Sequence, residues 1–215
     1  MSAQLLANHH AVVQAMQPYP HARLIVVSKH QPAETLIPLL DAGQRHFGEN
    51  RVQEAAEKWP SLRARYPDIH LHLIGQLQRN KVAQAAALFD SIHSLDRIAL
   101  ADALAAANYR GQLLIQVNLA DEPQKGGVAV ADLPALLHHS QQRCGLQISG
   151  LMTVPPVGDD PAPHFRQLAN LARAHQLPEL SMGMSSDYQQ ALAFGATYIR
   201  VGSAIFACSA HQIKE

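Results

Sequence analysis

The chain has 215 residues, of which 47% are hydrophobic and 16% charged, so it is long and apolar enough to bury a full core and is not intrinsically disordered. Lys plus Arg and Asp plus Glu both number 17, which leaves no net charge to attract nucleic acid or a membrane surface. No segment has the pattern of a signal peptide or a membrane span. The two cysteines, Cys144 and Cys208, suggest no disulfide framework, and we therefore expect a cytoplasmic protein.

Short apolar runs alternate with helix-patterned segments along the chain. The first segment, residues 2–16, places Leu6, Val13 and Met16 on one helical face and predicts a helix before the first strand. Eight apolar runs then predict strands at 24–29, 45–50, 71–75, 91–95, 113–118, 148–154, 179–183 and 198–204. Strict alternation of strand and helix predicts parallel strands joined by right-handed crossovers.

Eight such units favour a (β/α)8 TIM barrel with an extra N-terminal helix, formed by residues 1–215 as a single domain. A doubly wound open sheet would show the same alternation and stays open as an alternative. The strands at 45–50 and 91–95 are the weakest predictions, because both contain polar or charged residues.

Local signals refine two of the helices. Pro38 lies inside the segment 32–42 and is expected to kink that helix or delay its start. Ser186 and Gln189 match a capping box for a helix over 187–194.

Function in such a barrel lies at the C-terminal ends of the strands. Lys29 closes the first predicted strand, at the rim of the barrel interior. Desolvation at an apolar rim would lower its pKa and favour the neutral amine that attacks a carbonyl. The alternative is a lysine that flanks a strand in solvent. Asn118 ends strand five, and Asn50 follows strand two. Either could donate a hydrogen bond to a ligand oxygen or satisfy loop backbone.

The turns after the last two strands are rich in small residues. SMGMSSDYQQ (181–190) and RVGSA (200–204) each pass from a strand through glycine to serine, which is a pattern typical of a phosphate site. Plain helix capping by Ser186 and a tight turn at Gly202 would explain the same residues.

Arg200 lies within the last strand; if it points into the barrel mouth, it needs a partner, either a cofactor ring nitrogen or an acidic residue.

Taken together, these segments resemble the pyridoxal phosphate homeostasis protein family, also described as the alanine racemase N-terminal-domain-like family. The resemblance covers nearly the whole chain, in order, through VVSKHQPAE (26–34), DAGQRHFGENRVQEA (41–55), HLIGQLQRNK (72–81), SLDRIALADAL (94–104), LIQVNLADEPQKGGV (114–128), GLMTVPP (150–156), LSMGMSSD (180–187) and IRVGSAIF (199–206).

The resemblance implies a barrel that holds pyridoxal 5′-phosphate (PLP) as a Schiff base on Lys29. It implies phosphate contacts from Ser185, Gly202 and Ser203. It also places Arg200 near the pyridine nitrogen and Asn50 beside the ring. The chain departs from the family pattern at His30, Gln76 and Ala207, none of which is the lysine or part of the phosphate turns.

The function implied is a PLP-binding protein of intracellular PLP homeostasis without substantial catalysis, with PLP-dependent apo-enzymes as acceptors of the cofactor. An arginine at the ring nitrogen disfavours its protonation and so weighs against a transaminase. A racemase needs a second base, which the resembled racemases take from a further domain for which we expect no room here. A PLP-dependent amino-acid racemase and a class I aldolase-like barrel remain the alternatives.

The sequence also bears on assembly and metals. A closed barrel needs no partner to bury its strands, so we expect a monomer. The thirteen histidines form no HExxH motif and no Cys/His cluster, and no metal site is predicted. His70 and His72 would share one face of a strand, and hydrogen-bonded or solvated imidazoles are expected there.

Overall fold

A computed structural model describes residues 2–120, 122 and 124–207 of the chain. The helices are α1 (Ser2–Met16), α2 (Ala33–Asp41), α3 (Val52–Arg65), α4 (Val82–Leu88), α5 (Ile98–Ala106), α6 (Leu133–His138), α7 (Ala162–Ala174), α8 (Tyr188–Ala193) and α9 (Ser203–Phe206). The strands are β1 (Arg23–Val27), β2 (His46–Glu49), β3 (His70–Leu73), β4 (Ser91–Leu95), β5 (Gln112–Asn118), β6 (Val128–Ala129), β7 (Ile148–Met152), β8 (Glu179–Ser181) and β9 (Tyr198–Val201).

Eight of these strands close into a parallel barrel. They follow one another in the order β4-β3-β2-β1-β9-β8-β7-β5, and pairing of β4 with β5 completes the ring. The two-residue strand β6 pairs with the end of β5 alone. The (β/α)8 barrel with its extra N-terminal helix is therefore confirmed, and the open-sheet alternative is wrong because no strand of the barrel is left at an edge.

The apolar core has two parts. The larger lies between the strands and the surrounding helices and includes the fully buried Trp59, Phe47 and Phe165. The smaller, inside the barrel, contains Ile25, Leu114, Met152 and Tyr198. Polar side chains fill much of the remaining buried space; those with no more than 8% exposure include Ser28, Glu49, His72, His93, Gln116, Thr153, Ser181 and Arg200. Both charged members of this set bear on the site described below.

The N-terminal helix uses a face one residue away from the expected one. Leu5, Val12 and Met16 are buried, whereas Val13 is 39% exposed. Both sets have helical spacing, so periodicity alone did not distinguish them. The side chain of Asn8, on α1, donates hydrogen bonds to the carbonyls of Ile205 and Ala207, which fixes α1 against α9.

Of the two outcomes expected for Pro38, the structure excludes a delayed start, because helix α2 begins at Ala33 and contains the proline. Another local prediction needs correction. The capping box of Ser186 and Gln189 does not form: α8 starts at Tyr188 after Asp187, whose Oδ1 accepts from the backbone N–H of Met184. None of the helices in the described ranges has the length and hydropathy of a membrane-spanning segment. Cys208 lies outside those ranges.

Candidate functional site

A cavity of about 770 Å³ opens at the C-terminal end of the barrel. Its walls come from the segments that follow β1, β2, β3, β7, β8 and β9. The lining residues are Val27, Lys29, Asn50, Ile74, Val154, Met184, Ser185, Ser186, Arg200, Gly202, Ser203 and Ala204. All six residues that the family resemblance assigns to PLP are in this set, although they are spread over more than 170 positions of the chain.

Lys29 lies in a turn two residues beyond the end of β1 and is exposed to solvent at the cavity wall. The expectation that an apolar barrel rim desolvates the Lys29 amine is therefore wrong, because the residue is exposed. What the fold does fix is the backbone on both sides of Lys29. The carbonyl of Ser28 accepts a hydrogen bond from Lys58 Nζ at 2.7 Å, and the N–H of His30 donates to Glu54 Oε1 at 2.6 Å.

A buried ion pair supports this turn. Glu49 is 0% exposed at the end of β2, and its Oε1 accepts from Ser28 Oγ at 2.8 Å, from Lys58 Nζ at 2.9 Å and from Trp59 Nε1 at 3.0 Å. The same ammonium group donates to Glu54 at 3.0 Å. Because a buried carboxylate needs compensation, these donors hold β2, α3 and the Lys29 turn in one arrangement.

The two candidate asparagines have different surroundings. Asn50 follows β2 and lines the cavity, and Gly75 packs directly against it: a Cβ on Gly75 would lie 2.2 Å from the carbonyl oxygen of Asn50. Asn118 ends β5 but does not line the cavity. Its side chain instead binds loop backbone, donating to the carbonyl of Glu122 at 2.8 Å and accepting from its N–H at 3.3 Å.

The turns after β8 and β9 meet at Ser185. Its Oγ accepts hydrogen bonds from the backbone N–H groups of Gly202, at 3.3 Å, and Ala204, at 3.2 Å. Gly202 also packs closely on β1, since a Cβ there would lie 3.1 Å from the carbonyl oxygen of Val27. Ser203 is exposed at the start of α9. Two amide donors thus converge on one oxygen position at the cavity wall.

Arg200 is 4% exposed and reaches the cavity from inside the barrel. It donates to Ser181 Oγ at 2.7 Å and to the carbonyl of Thr153 at 2.8 Å. Among the described residues it forms no ion pair, so the acidic partner considered from the sequence is not found. Burial lowers the pKa of Arg200 to about 10, partly offset by the charge of Asp187. Arg200 therefore stays cationic at neutral pH, and its hydrogen-bond partners, Ser181 and the carbonyl of Thr153, are uncharged.

A row of imidazoles extends from Arg200 through the barrel interior. His93 Nδ1 lies 2.8 Å from Ser181 Oγ, and His93 Nε2 lies 3.0 Å from His72 Nδ1. His72 Nε2 in turn lies 3.0 Å from His46 Nδ1, near the N-terminal ends of β2 and β3. Burial lowers the pKa of His72 and of His93 well below the usual value, so both rings are neutral at pH 7.

The guanidinium sets the direction of these hydrogen bonds. Arginine can only donate, so Ser181 Oγ accepts from Arg200 and its own hydrogen is free to go to His93 Nδ1. His93 and His72 then each accept at Nδ1 and donate from Nε2, ending at His46. The reverse order would leave the Ser181 hydroxyl hydrogen without an acceptor in the described interior, which is costly in a buried site.

Sequence reasoning placed Ser28 and Glu49 at strand ends but gave neither of them, nor His93, a supporting role. Ser28 lies in the quoted segment VVSKHQPAE (26–34), Glu49 lies in DAGQRHFGENRVQEA (41–55), and His93 lies in the weakly predicted strand 91–95. The signal was present in each case, because a polar residue inside an otherwise apolar barrel strand has to find a buried partner.

A closed parallel barrel with a lysine, an arginine and two serine-bearing turns at its C-terminal end defines a class of ligand-binding barrels, and comparison with known proteins narrows that class. The family model described as alanine racemase, N-terminal domain, matches residues 2–210. A pyridoxal phosphate homeostasis protein of Pasteurella multocida is 37% identical, with 95% of this chain and 94% of that protein covered. The human protein of the same name is 35% identical, with 94% and 81% covered. The chain belongs to the pyridoxal phosphate homeostasis protein family.

Solved structures agree with this assignment. PipY of Synechococcus elongatus, in a structure with PLP bound, is 41% identical, and the match has a TM-score of 0.83 and covers 96% of this chain and all of that one. Alanine racemase of Corynebacterium glutamicum shares the fold at 17% identity and a TM-score of 0.75, and the match covers 95% of this chain but 60% of the racemase.

Proposed function

We propose that this protein binds PLP as a Schiff base on Lys29 and acts in PLP homeostasis, with little or no catalysis of its own. One observation carries the proposal: Lys29, Asn50, Ser185, Arg200, Gly202 and Ser203 all line a single cavity. The PLP bound to PipY and the names of the curated relatives support the choice of ligand.

The cavity suits a phosphorylated aromatic aldehyde. Its volume of about 770 Å³ is within the usual range for small-molecule sites, roughly 300–1,000 Å³. Of the residues that line it, Lys29 and Arg200 are cationic and none is a carboxylate. The amide donors of Gly202 and Ala204, with the Ser185 hydroxyl, would hold the phosphate, and the Lys29 amine would condense with the aldehyde and release water.

Arg200 supports binding without substantial turnover. PLP supplies an electron sink when its ring nitrogen is protonated. A guanidinium that stays cationic beside that nitrogen disfavours its protonation, which weakens the sink. We infer that the protein buffers PLP and passes it to PLP-dependent apo-enzymes as a monomeric, cytoplasmic, single-domain barrel.

The covalent attachment is tested by borohydride reduction of the PLP-loaded protein, followed by peptide mass spectrometry. The pyridoxyl mass should lie on Lys29 and should be missing from Lys29→Ala, while Lys81→Ala, a lysine outside the cavity, should label as the wild type does. Folding of each variant is checked by circular dichroism. Wild-type labelling of a folded Lys29→Ala protein would refute the assignment of Lys29.

A second experiment separates homeostasis from racemase activity. The PLP-loaded protein is mixed with a PLP-dependent apo-enzyme, and the gain of enzyme activity is compared with the release of PLP into buffer. Transfer faster than release supports delivery. Exchange of the α-proton of an amino acid with heavy water at an enzymatic rate would instead establish the racemase alternative.

A further inference from the structure

Three metal-ligating side chains meet on the outer helical layer, and none of them lines the PLP cavity. Asp102 Oδ1 lies 2.6 Å from His139 Nε2 and 3.4 Å from Cys144 Sγ. All three atoms lie within 4.8 Å of one another. Asp102 is on α5, whereas His139 and Cys144 bracket the segment after α6, so the cluster joins two separate parts of the chain.

A π-helical turn explains how the histidine and the cysteine come together. Residues five apart on an α-helix point about 140° away from each other, because each residue advances the helix by about 100°. The segment His139–Arg143 instead forms a π-helix, and the N–H of Cys144 donates to the carbonyl of His139 at 3.1 Å. This wider turn brings residues i and i+5 to nearly the same face, and such turns are frequent at functional sites.

The arrangement already points two donors at one oxygen. The imidazole N–H of His139 and the thiol S–H of Cys144 both donate to Asp102 Oδ1. A divalent cation could take the place of these two hydrogens, with the carboxylate oxygen, Nε2 of the imidazole and the sulfur as its ligands. The imidazole hydrogen would then move to Nδ1, and the thiol hydrogen would leave as a proton. A thiolate, an imidazole and a carboxylate are the three donor types that Zn²⁺ accepts, and three protein ligands leave one tetrahedral position for water.

We propose that Asp102, His139 and Cys144 form a zinc-class metal site that links α5 to the segment between α6 and β7. The standard sequence motifs do not reveal it, because His139 and Cys144 lie five apart and Asp102 precedes His139 by 37 positions.

The protonation states of Asp102 and Cys144 without a metal determine which proton is released when a cation binds. The hydrogen bond from His139 lowers the pKa of Asp102, so the carboxylate is available as a ligand. Burial and the neighbouring carboxylate raise the pKa of the Cys144 thiol, so the sulfur is protonated at neutral pH. Binding of the sulfur as a thiolate therefore releases the thiol proton. The nearby charge of Arg79 opposes the cation and must be overcome.

The test uses Co²⁺ as a spectroscopic substitute for Zn²⁺, added to the reduced full-length protein, and chelator competition for Zn²⁺ itself. Thiolate ligation gives a sulfur-to-cobalt charge-transfer band, read as a difference spectrum, which histidines and carboxylates alone do not produce. We expect one equivalent of Co²⁺ to give this band in the wild type. Cys144→Ser should lose the band, and His139→Gln should bind Zn²⁺ at least tenfold more weakly.

Two matched variants serve as controls. His138→Gln changes the neighbouring exposed histidine, and Cys208→Ser removes the other cysteine; both should keep the band and the Zn²⁺ affinity. Far-ultraviolet circular dichroism without metal establishes that each variant is folded. The proposal is overturned if no charge-transfer band appears, if the band disappears with Cys208→Ser, or if Zn²⁺ binds folded Cys144→Ser and His139→Gln as tightly as the wild type, which would mean adventitious binding only.

Discussion

The Nη1 group of Arg200 donates to Oγ of Ser181 at 2.7 Å, and this one hydroxyl joins a buried cation to a row of neutral imidazoles. The guanidinium has no charged partner within hydrogen-bonding distance among the described residues, so its position depends on neutral acceptors. Its orientation at the cavity is therefore set from inside the barrel, by Ser181 and by the carbonyl of Thr153.

Replacement of Ser181 by alanine should reduce stability, because it leaves an N–H of Arg200 and Nδ1 of His93 buried without partners. We expect a loss of about 1–3 kcal/mol in the free energy of unfolding. Ser149→Ala is the control: its hydroxyl donates to the carbonyl of Leu113 at 3.1 Å in a partly buried site, and its loss should cost about 0.5–1.5 kcal/mol. Urea denaturation of both variants gives the comparison. A smaller loss of unfolding free energy for Ser181→Ala than for Ser149→Ala would contradict the role of Ser181 as the buried partner of Arg200 and His93.

The imidazole row predicts a loss of stability in mild acid. Burial lowers the pKa of His46 from 6.5 to about 4, and it holds the pKa of His72 and of His93 well below 6.5. As pH falls below 6.5 the unfolded chain takes up protons that the folded protein does not. The free energy of unfolding should therefore fall from pH 7 towards pH 5, by up to about 1.4 kcal/mol per pH unit for each such histidine.

Single substitutions test the source of this slope. His46→Gln removes one of the depressed groups, so the free energy of unfolding should fall less steeply with acid than in the wild type. His10→Gln, an exposed residue of α1, should leave the slope unchanged. Urea titrations at several pH values measure each slope. Equal slopes for all three proteins would mean that His46 is not held neutral by the fold.

The ion pair of Lys58 and Glu49 should matter for stability and for the proposed attachment of PLP to Lys29. Lys58→Met leaves the carboxylate of Glu49 buried without its cation, which typically costs about 3–5 kcal/mol. It also frees the carbonyl of Ser28 next to Lys29, so PLP should attach more slowly to the protein that remains folded. Lys81→Met is the control and should change neither property. Unfolding by urea and the rate of the absorbance change on mixing with PLP are the two measurements, and wild-type values in both would refute a supporting role for this pair.

Much of the fold could be predicted because strand–helix alternation has few solutions once every strand must be covered on its outer face. All eight strands lie where the apolar runs placed them, with ends that differ by at most three residues, and the strand expected at 91–95 has the expected bounds. The short strand β6 was missed, since two residues carry no periodic signal. The buried face of α1 was wrong by one position because Leu5 and Leu6, like Val12 and Val13, are apolar neighbours.

The candidate site was predicted less completely than the fold. Strand ends and the family resemblance pointed to six of the residues that line the cavity, because the C-terminal ends of barrel strands meet at one face. They did not reveal what holds those residues. The polar residue His93 weakened the prediction of the strand at 91–95, and the charged Glu49 weakened that of the strand at 45–50. Buried polar partners from distant strands cannot be matched from composition, since each pairing depends on which side chains face the interior.

The phosphate turns lead to the last prediction, at Ser203. An aspartate there would add a negative charge beside the cofactor phosphate, and because the position is exposed we expect a repulsion of about 1 kcal/mol for each phosphate charge. Ser203→Asp should therefore hold PLP about tenfold or more less tightly. The asparagine of Ser203→Asn has nearly the same size as aspartate but no charge, so this variant should lose much less of its affinity for PLP. The measurement is the fraction of PLP that each variant retains after gel filtration at low salt. High salt should reduce the difference in retention between the two variants, because salt screens exposed charges. If the two variants retain PLP equally at low salt, the phosphate does not lie at this turn.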